Sequence, residues 1–363
     1  VSGSEMEEND KFLELDIFVS ENAIEEGAIE LMKSVRPEWK AGDIKFKVFT
    51  EGITNKLIGC YKGSKEDMVL VRVYGNKTDL IIDREAELRN MLVLHSEGCA
   101  PPPYAKFNNG LCYAFVHGIC LDEKTVREEK IGRLVAEEMA KIHDIQESSR
   151  SAKQSKIERE PMLFKKIKTF LNLVPEEFQN PEKNERYKKG VKNRKDLERE
   201  LEELKEHLET INSPVVLCHN DLLLQNIVYN EEIEKITFID YEYGFYNYQA
   251  YDIANHFNEF AGVETVDYTL YPDKELQYRW LRDYLSAWYS LQGLNKIPTE
   301  RDIEILYVEV NKYSLASHFF WGVWALIQAR FSDIDFDFLG YAMQRLNEFH
   351  SQKEERFALT MPE

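Results

Sequence analysis

Val215-Val216-Leu217-Cys218-His219-Asn220-Asp221-Leu222-Leu223-Leu224-Gln225-Asn226 leads, through a polar turn, into Ile236-Thr237-Phe238-Ile239-Asp240. Val215 to His219 and Ile236 to Asp240 have the length and β-branched content of short strands. Asp221 stands just past the end of the first, Asn226 five positions further, and Asp240 at the end of the second. The pattern predicts two carboxylates and a carboxamide converging at the mouth of one hairpin. Phosphoryl transfer needs such a set, because positioning and charge neutralisation carry most of that reaction. One carboxylate, Asp221, can take the proton of an attacking hydroxyl. Asn226 and Asp240 offer hard oxygens to magnesium, which bridges phosphates. An H-x-D triplet alone is common and carries no such meaning. The Asp-to-Asn spacing and the second strand end distinguish this one.

Outward from this stretch, the texture of the chain divides in two. Before it, Ile44 to Val48 alternates polar and apolar residues, and Leu57 to Tyr61 and Met68 to Val73 are β-type runs around the turn Lys62-Gly63-Ser64. These predict a small antiparallel sheet, joined by a strand over Leu111 to Val116. Helical periodicity marks Glu21 to Val35, Asp83 to His95 and Asp122 to His143. The charged stretch Pro181 to Thr210 carries Leu197, Leu201, Leu204 and Leu208 at helical spacing, and its lysines, interleaved with Glu, read as a solvated face rather than an anion site. Tyr251 to Leu346 is mostly helical by pattern. The expectation is an α+β chain of two lobes sharing a cleft: a flexible terminus over 1–20, a sheet-containing lobe over 21–116, and a mainly helical lobe over 117–363.

A chain of 363 residues suits two such units. Its 46 Lys and Arg stand against 65 Asp and Glu, and a net charge of −19 argues against nucleic acid or an anionic membrane as main partner. Five cysteines without C-x-x-C spacing speak against a disulfide framework or zinc knuckle and for a reducing compartment. Val1 to Asp10 is polar and acidic, without the layout of a signal peptide, so a cytoplasmic location is expected. Leu315 to Ala329 falls short of the ~20 apolar residues of a membrane span and reads as a buried helix. A homodimer is compatible with the sequence but not specified by it.

The spacing parallels the H-R-D-x-x-x-x-N and D-F-G elements of protein kinases. Here Asn220 stands for Arg, Tyr241-Glu242 for Phe-Gly, and no A-P-E follows, so a protein kinase fits poorly. His219 to Asn226, Ile239 to Tyr243 and Asp252 to Phe257 together resemble the choline/ethanolamine kinase family, with its H-N-D-x-x-x-x-N, I-D-[FY]-E-Y and D-I-x-N-H-F signatures. The likeness extends over about Gly52 to Ala342. The strings Gly52-Ile53-Thr54-Asn55-Lys56-Leu57, Tyr74-Gly75-Asn76-Lys77-Thr78 and Leu270-Tyr271-Pro272-Asp273 are closer to the ethanolamine branch.

The resemblance implies a protein-kinase-like two-lobe fold and transfer of the γ-phosphate of ATP to ethanolamine, with magnesium. The product is phosphoethanolamine, which feeds phosphatidylethanolamine synthesis. Choline is the alternative acceptor, and a nucleotide-binding scaffold without activity is a third reading. Asp221 then resembles the catalytic base and Asn226 and Asp240 the metal ligands, with Glu242 and His219 in supporting roles. Asp252 reads equally as a helix N-cap before Ile253 or, by resemblance, as the brace of the catalytic loop. Leu222, Leu223 and Leu224 occupy positions that are more polar in choline kinases.

For the nucleotide, the resemblance assigns Thr54 and Asn55 to the phosphates and Ala114, Phe115 and Val116 to adenine. Arg72 lies in the run Leu70 to Tyr74, where a buried cation needs a partner. The family places Arg here on the phosphates, paired to Glu87; Glu85 is the other candidate. For the substrate, Trp321 and Trp324 share a helical face, and with Tyr243, Tyr268, Phe336 and Tyr341 could be ordinary core. The family uses such aromatics to wall an ammonium pocket, with Glu259 as its carboxylate. His256, in an apolar helical run, reads as a core histidine.

Overall fold

The computed structural model describes residues 12–49, 55–75, 78–145, 159–332 and 334–362. The elements, in chain order, begin with β1 (Leu13–Leu15), α1 (Ile24–Val35), β2 (Lys45–Phe49), β3 (Asn55–Tyr61), β4 (Val69–Tyr74), α2 (Arg84–Ser96), β5 (Pro103–Phe107) and β6 (Gly110–Ala114). There follow β7 (Ile119–Cys120), α3 (Glu129–Asp144), α4 (Leu163–Leu173), α5 (Pro181–Gly190), α6 (Arg194–Leu208), β8 (Val215–Cys218), β9 (Ile227–Asn230), β10 (Lys235–Phe238) and β11 (Phe245–Tyr248). The chain ends in α7 (Gln249–Asn258), α8 (Lys274–Leu291), α9 (Glu300–Phe331) and α10 (Phe338–Ala358). Two compact units divide between Gly118 and Ile119.

The first unit is built on a six-stranded sheet of order β1-β5-β6-β4-β3-β2. It is antiparallel except at β1, which runs parallel to β5 with Leu13 opposite Ala105. Those three residues fall inside the stretch expected to be a flexible terminus; pairing with β5 corrects that expectation for Leu13–Leu15, and residues 1–11 lie outside the described residues. One sheet face packs Ile58, Cys60, Val69, Val71 and Val73 against Ala28, Leu31 and Met32 of α1. Alternation along the strands puts these side chains on a common side.

In the second unit, β9 and β10 form a hairpin in register Ile227 to Phe238, with β7 on the outer side of β9. β8 does not pair with β10. It pairs with β11, Cys218 opposite Phe245. The single hairpin expected from the sequence is therefore two ladders, because the short run Phe245–Tyr248 supplies β8 with its own partner.

Among the helices, α3 packs on β8 and β10, and α7 on β8 and β11. The run expected from Asp122 begins later, at Glu129: the Asp122 carboxylate accepts from the Lys124 and Thr125 amides at 3.0 and 2.7 Å, and Glu128 turns extended. In the charged stretch, Asn180 caps α5 ahead of Pro181, and Asn193 caps α6. Lysines there meet carboxylates within the chain, Lys189 with Glu185 at 2.6 Å and Lys192 with Glu200 at 2.5 Å. Leu315 to Ala329 is buried inside α9. Among the described residues, no helix is long and apolar enough to cross a membrane.

Candidate active site

β8 ends at Cys218, and the chain then turns at Asn220, whose φ of 65° is left-handed. Asparagine tolerates this region better than most residues, and its side chain makes the turn rigid. Nδ2 donates to the Tyr243 carbonyl at 3.0 Å, while Oδ1 accepts from Asn247 Nδ2 at 2.8 Å. Asp221 follows. Its carbonyl accepts from the Leu223 amide and from Asn226 Nδ2, both at 2.9 Å. Leu222 and Leu224 are fully buried and anchor this loop to the core, which gives the leucine run a packing purpose.

Asn226 immediately precedes β9, and its carbonyl accepts the Ile239 amide at 3.0 Å. That bond extends the β9–β10 ladder by one step and leaves Asp240 one residue beyond it. Asp240 is left-handed too, with φ 65°. For a non-glycine residue this costs of order 1–3 kcal/mol, a strain typical of functional positions. His219 ties the two segments together. Its Nδ1 accepts the Asp221 amide at 3.3 Å, which leaves Nε2 to donate to the Ile239 carbonyl at 2.9 Å. Burial pushes its pKa down, in keeping with this neutral tautomer.

Asp252 lies inside α7, whose N-cap is Tyr248, so it does not cap that helix. Its Oδ1 accepts the Asn220 amide at 2.7 Å, and its Oδ2 accepts the His219 amide at 2.8 Å and faces His143 Nε2 at 3.0 Å. Burial alone would raise this carboxyl. The His143 hydrogen bond and charge, with His219, hold it below the ordinary value instead. Three residues on, Asn255 Oδ1 accepts from Ser317 Oγ and Trp321 Nε1; His256 Nδ1 donates to the Leu222 carbonyl at 3.2 Å. Glu259 follows in a 3₁₀ turn and pairs with Arg345 at 2.9 Å. Positions 252, 255, 256 and 259 recur at i, i+3, i+4 and i+7, one helical face. His256 is buried, and its role includes holding the loop at Leu222. The sequence reading missed Asn255, Ser317 and Arg345. A polar stripe at helical spacing within the apolar run Tyr251 to Phe260 was the available signal for the first of these.

The aromatic residues form a connected chain of rings. Tyr243 meets Trp321 edge-on at 5.1 Å between centroids, and Trp321 meets Trp324 at 5.3 Å. Trp324 Nε1 donates to the Tyr243 hydroxyl at 2.7 Å. Phe338 continues the chain to Phe336, which meets Tyr341 at 5.9 Å. Tyr268 packs edge-on to His318 at 5.3 Å and acts electrostatically on Tyr341. A cavity of about 370 Å³ has Phe336 and Tyr341 in its wall, together with Arg186, Glu264 and Asp337.

Electrostatically this region is acidic. Burial pushes Asp221 well above the usual carboxylate range, and Glu259, Asp240 and Glu242 push it further, with Arg345 opposing. Glu242 is buried in the turn after Asp240. Burial also raises Glu259, in part offset by Arg345. Such a cluster favours cations. The residue types suit a hard divalent metal, which takes carboxamide and carboxylate oxygens: Asn226 spends Nδ2 on the Asp221 carbonyl, and Oδ1 is the end of its side chain that can accept.

In the first unit, Arg72 of β4 is buried and ion-paired to Glu87 of α2. Arg84 reaches the other Glu87 oxygen at 2.9 Å, and Glu85 pairs with Lys106. At the end of β6, the Ala114 amide donates to the Pro102 carbonyl at 2.9 Å and the Phe115 amide to the Met68 carbonyl at 3.1 Å. Both donors are thereby committed to the sheet. Thr54 and the Asn55 side chain lie outside the described residues.

Comparison with known proteins points in one direction. The profile of the choline/ethanolamine kinase family matches residues 46–350. Human ethanolamine kinase 1 is 50% identical over 344 residues, covering 94% of this chain and 75% of that protein. Human ethanolamine kinase 2 is 48% identical, covering 95% and 86%. Among solved structures, an ethanolamine kinase of Plasmodium vivax superposes with a TM-score of 0.79 at 31% identity, covering 92% of this chain and 89% of that one.

If Asp252 fixes the loop, Asp252→Ala leaves two buried amides and His143 without an acceptor. It should cost about 3–5 kcal/mol of stability, read as a lowered urea midpoint, with Asp252→Asn losing less. An unchanged midpoint for Asp252→Ala would show that the loop is held by other contacts.

Proposed function

This chain belongs to the choline/ethanolamine kinase family, and from that premise we propose that it transfers the γ-phosphate of ATP to the hydroxyl of ethanolamine, giving phosphoethanolamine and ADP. The observation that carries the proposal is Asp221: a half-buried carboxylate at a rigid turn, in an acidic surround that favours cations, within the unit that holds a chain of aromatic rings.

In this reading Asp221 accepts the proton of the ethanolamine hydroxyl as that oxygen bonds to the γ-phosphorus. The bond from that phosphorus to its β-bridging oxygen breaks, and ADP leaves with the electron pair. A carboxyl with raised proton affinity is a better base for this step than an ordinary surface carboxylate. His219 and Asp252 keep Asp221 in place through the backbone around it. Asn226 and Asp240 are the side chains that would hold magnesium, which when bound offsets the phosphate charge. In the other unit, Glu87 orients Arg72 for the α- and β-phosphates. Thr54 and Asn55 are assigned to the same phosphates. Ala114, Phe115 and Val116 are assigned to adenine, and Val116 is the one of the three to which we give the amide contact.

For the ammonium end, Tyr243, Trp321, Trp324, Phe336 and Tyr341 supply ring faces and edges, Tyr268 a further ring, and Glu259 an acceptor. Cation–π attraction serves methylated and primary ammonium alike. A primary ammonium adds three N–H donors, which a carboxylate satisfies and a trimethylammonium cannot use.

Steady-state assays across a panel of hydroxyl acceptors test the substrate. The expected result is a higher kcat/KM for ethanolamine than for choline. The reverse order would make choline the substrate, and no ADP release with any amino alcohol would make the chain a nucleotide-binding scaffold. Asp221→Ala should lower kcat by about 10²–10⁴ with nucleotide affinity retained, whereas Asp240→Ala should also weaken binding of nucleotide with magnesium. Normal turnover in either variant contradicts the assigned roles.

A further inference from the structure

Arg345 is delivered by α10 into the interior, where it is 1% exposed. Nη1 donates to Glu259 Oε1 at 2.9 Å. Nη2 donates to Ser317 Oγ at 3.1 Å and lies 3.5 Å from the Ser317 carbonyl. The Tyr341 hydroxyl, one turn back on the same helix, is 3.5 Å from Nη1. Ser317 Oγ donates in turn to Asn255 Oδ1 at 2.9 Å, the same oxygen that accepts the Trp321 indole N–H at 2.8 Å. One guanidinium therefore reaches Glu259 and Tyr341 directly, and Trp321 through two further side chains. These are three of the groups assigned above to the ammonium end of the substrate.

A buried arginine–carboxylate pair is a poor device for stability. Desolvation of both charges offsets their attraction, and apolar replacements are often as stable. What the planar fork supplies is geometry: it fixes two acceptors at set directions, which an ammonium or an apolar side chain cannot do. Its positive charge also holds down the proton affinity of Glu259, which burial raises.

We propose that Arg345 is the positioning residue of the ammonium pocket, orienting the Glu259 carboxylate directly and the Trp321 ring through Ser317 and Asn255. The inference rests on the reading of the pocket given above. Arg345 does not itself meet the substrate. It sets the direction of the carboxylate and the ring that do.

The test compares Arg345→Met, Arg345→Lys and Ser317→Ala with the unaltered protein, measuring KM for ethanolamine, KM for ATP, kcat and thermal midpoint. Arg345→Met should raise the ethanolamine KM about tenfold or more, with the ATP KM changed less than about twofold. Arg345→Lys, which keeps the charge but loses the fork, should fall between. Ser317→Ala keeps the Arg345–Glu259 pair and removes the hydroxyl that accepts from Nη2 and donates to Asn255. It should raise the ethanolamine KM by a few-fold and lower the midpoint less than Arg345→Met does, because the buried ion pair survives, so the proposal stays testable if Arg345→Met fails to fold. An unchanged ethanolamine KM in folded variants overturns the proposal, as does an equal rise in both KM values, the mark of a purely structural brace. These outcomes are separable from failure of the functional reading. In that case the unaltered protein itself would show no turnover of any amino alcohol.

Discussion

Both oxygens of the Asp252 carboxylate are engaged: one takes the Asn220 amide, the other the His219 amide and the His143 ring. Those two amides belong to the turn that presents Asp221. The turn includes a left-handed asparagine and buries its backbone, so its polar groups must find partners inside the protein. A carboxylate on a neighbouring helix satisfies two of them at once, and its charge strengthens each bond. The rest of the site follows from this anchor. With Asn220 fixed, its side chain joins β8 to the segment beyond Asp240. With His219 fixed, its ring joins Asp221 to Ile239. Asp221, Asn226 and Asp240 are thus gathered from two separate ladders by side chains of the loop itself.

A single helix face extends that control. Asp252, Asn255, His256 and Glu259 of α7 and its following turn reach, in order, the turn before Asp221, the Trp321 indole, the Leu222 carbonyl and Arg345. The loop around Asp221 and the Trp321 ring are therefore both tied to one helix. The electrostatic cost is concentrated here as well. Asp240, Glu242 and Glu259 all act on Asp221 in a partly buried region where the named opposing cation is Arg345. Proteins seldom gather buried carboxylates without a function for the resulting field. Here the field suits a divalent metal and a cationic acceptor.

Much of this was legible in the sequence where the signal is local. The H-N-D-x-x-x-x-N spacing and the Asp240 strand end marked the loop, and the β-branched run around Arg72 marked a buried cation in need of a carboxylate, which Glu87 supplies. The pairing of strands was less legible. Phe245–Tyr248 is four residues long and follows the motif closely, so nothing in its pattern announced that it, rather than Ile236–Phe238, would pair with β8. Leu13–Leu15 was hidden for a similar reason: three residues at a polar terminus carry little periodicity. Arg345 was beyond reach because its partners, Glu259 and Ser317, lie 86 and 28 positions away, and an arginine on an otherwise amphipathic helix looks like a surface residue until the packing is known.

Asp252 holds the turn that presents Asp221, and native-state hydrogen exchange at the amides of His219 and Asn220 tests this most directly. If the carboxylate accepts from both, these two amides should exchange only through global unfolding, at the slow limit shared with the core of α7. Exchange of either amide by local opening, at rates typical of exposed loops, would contradict the account.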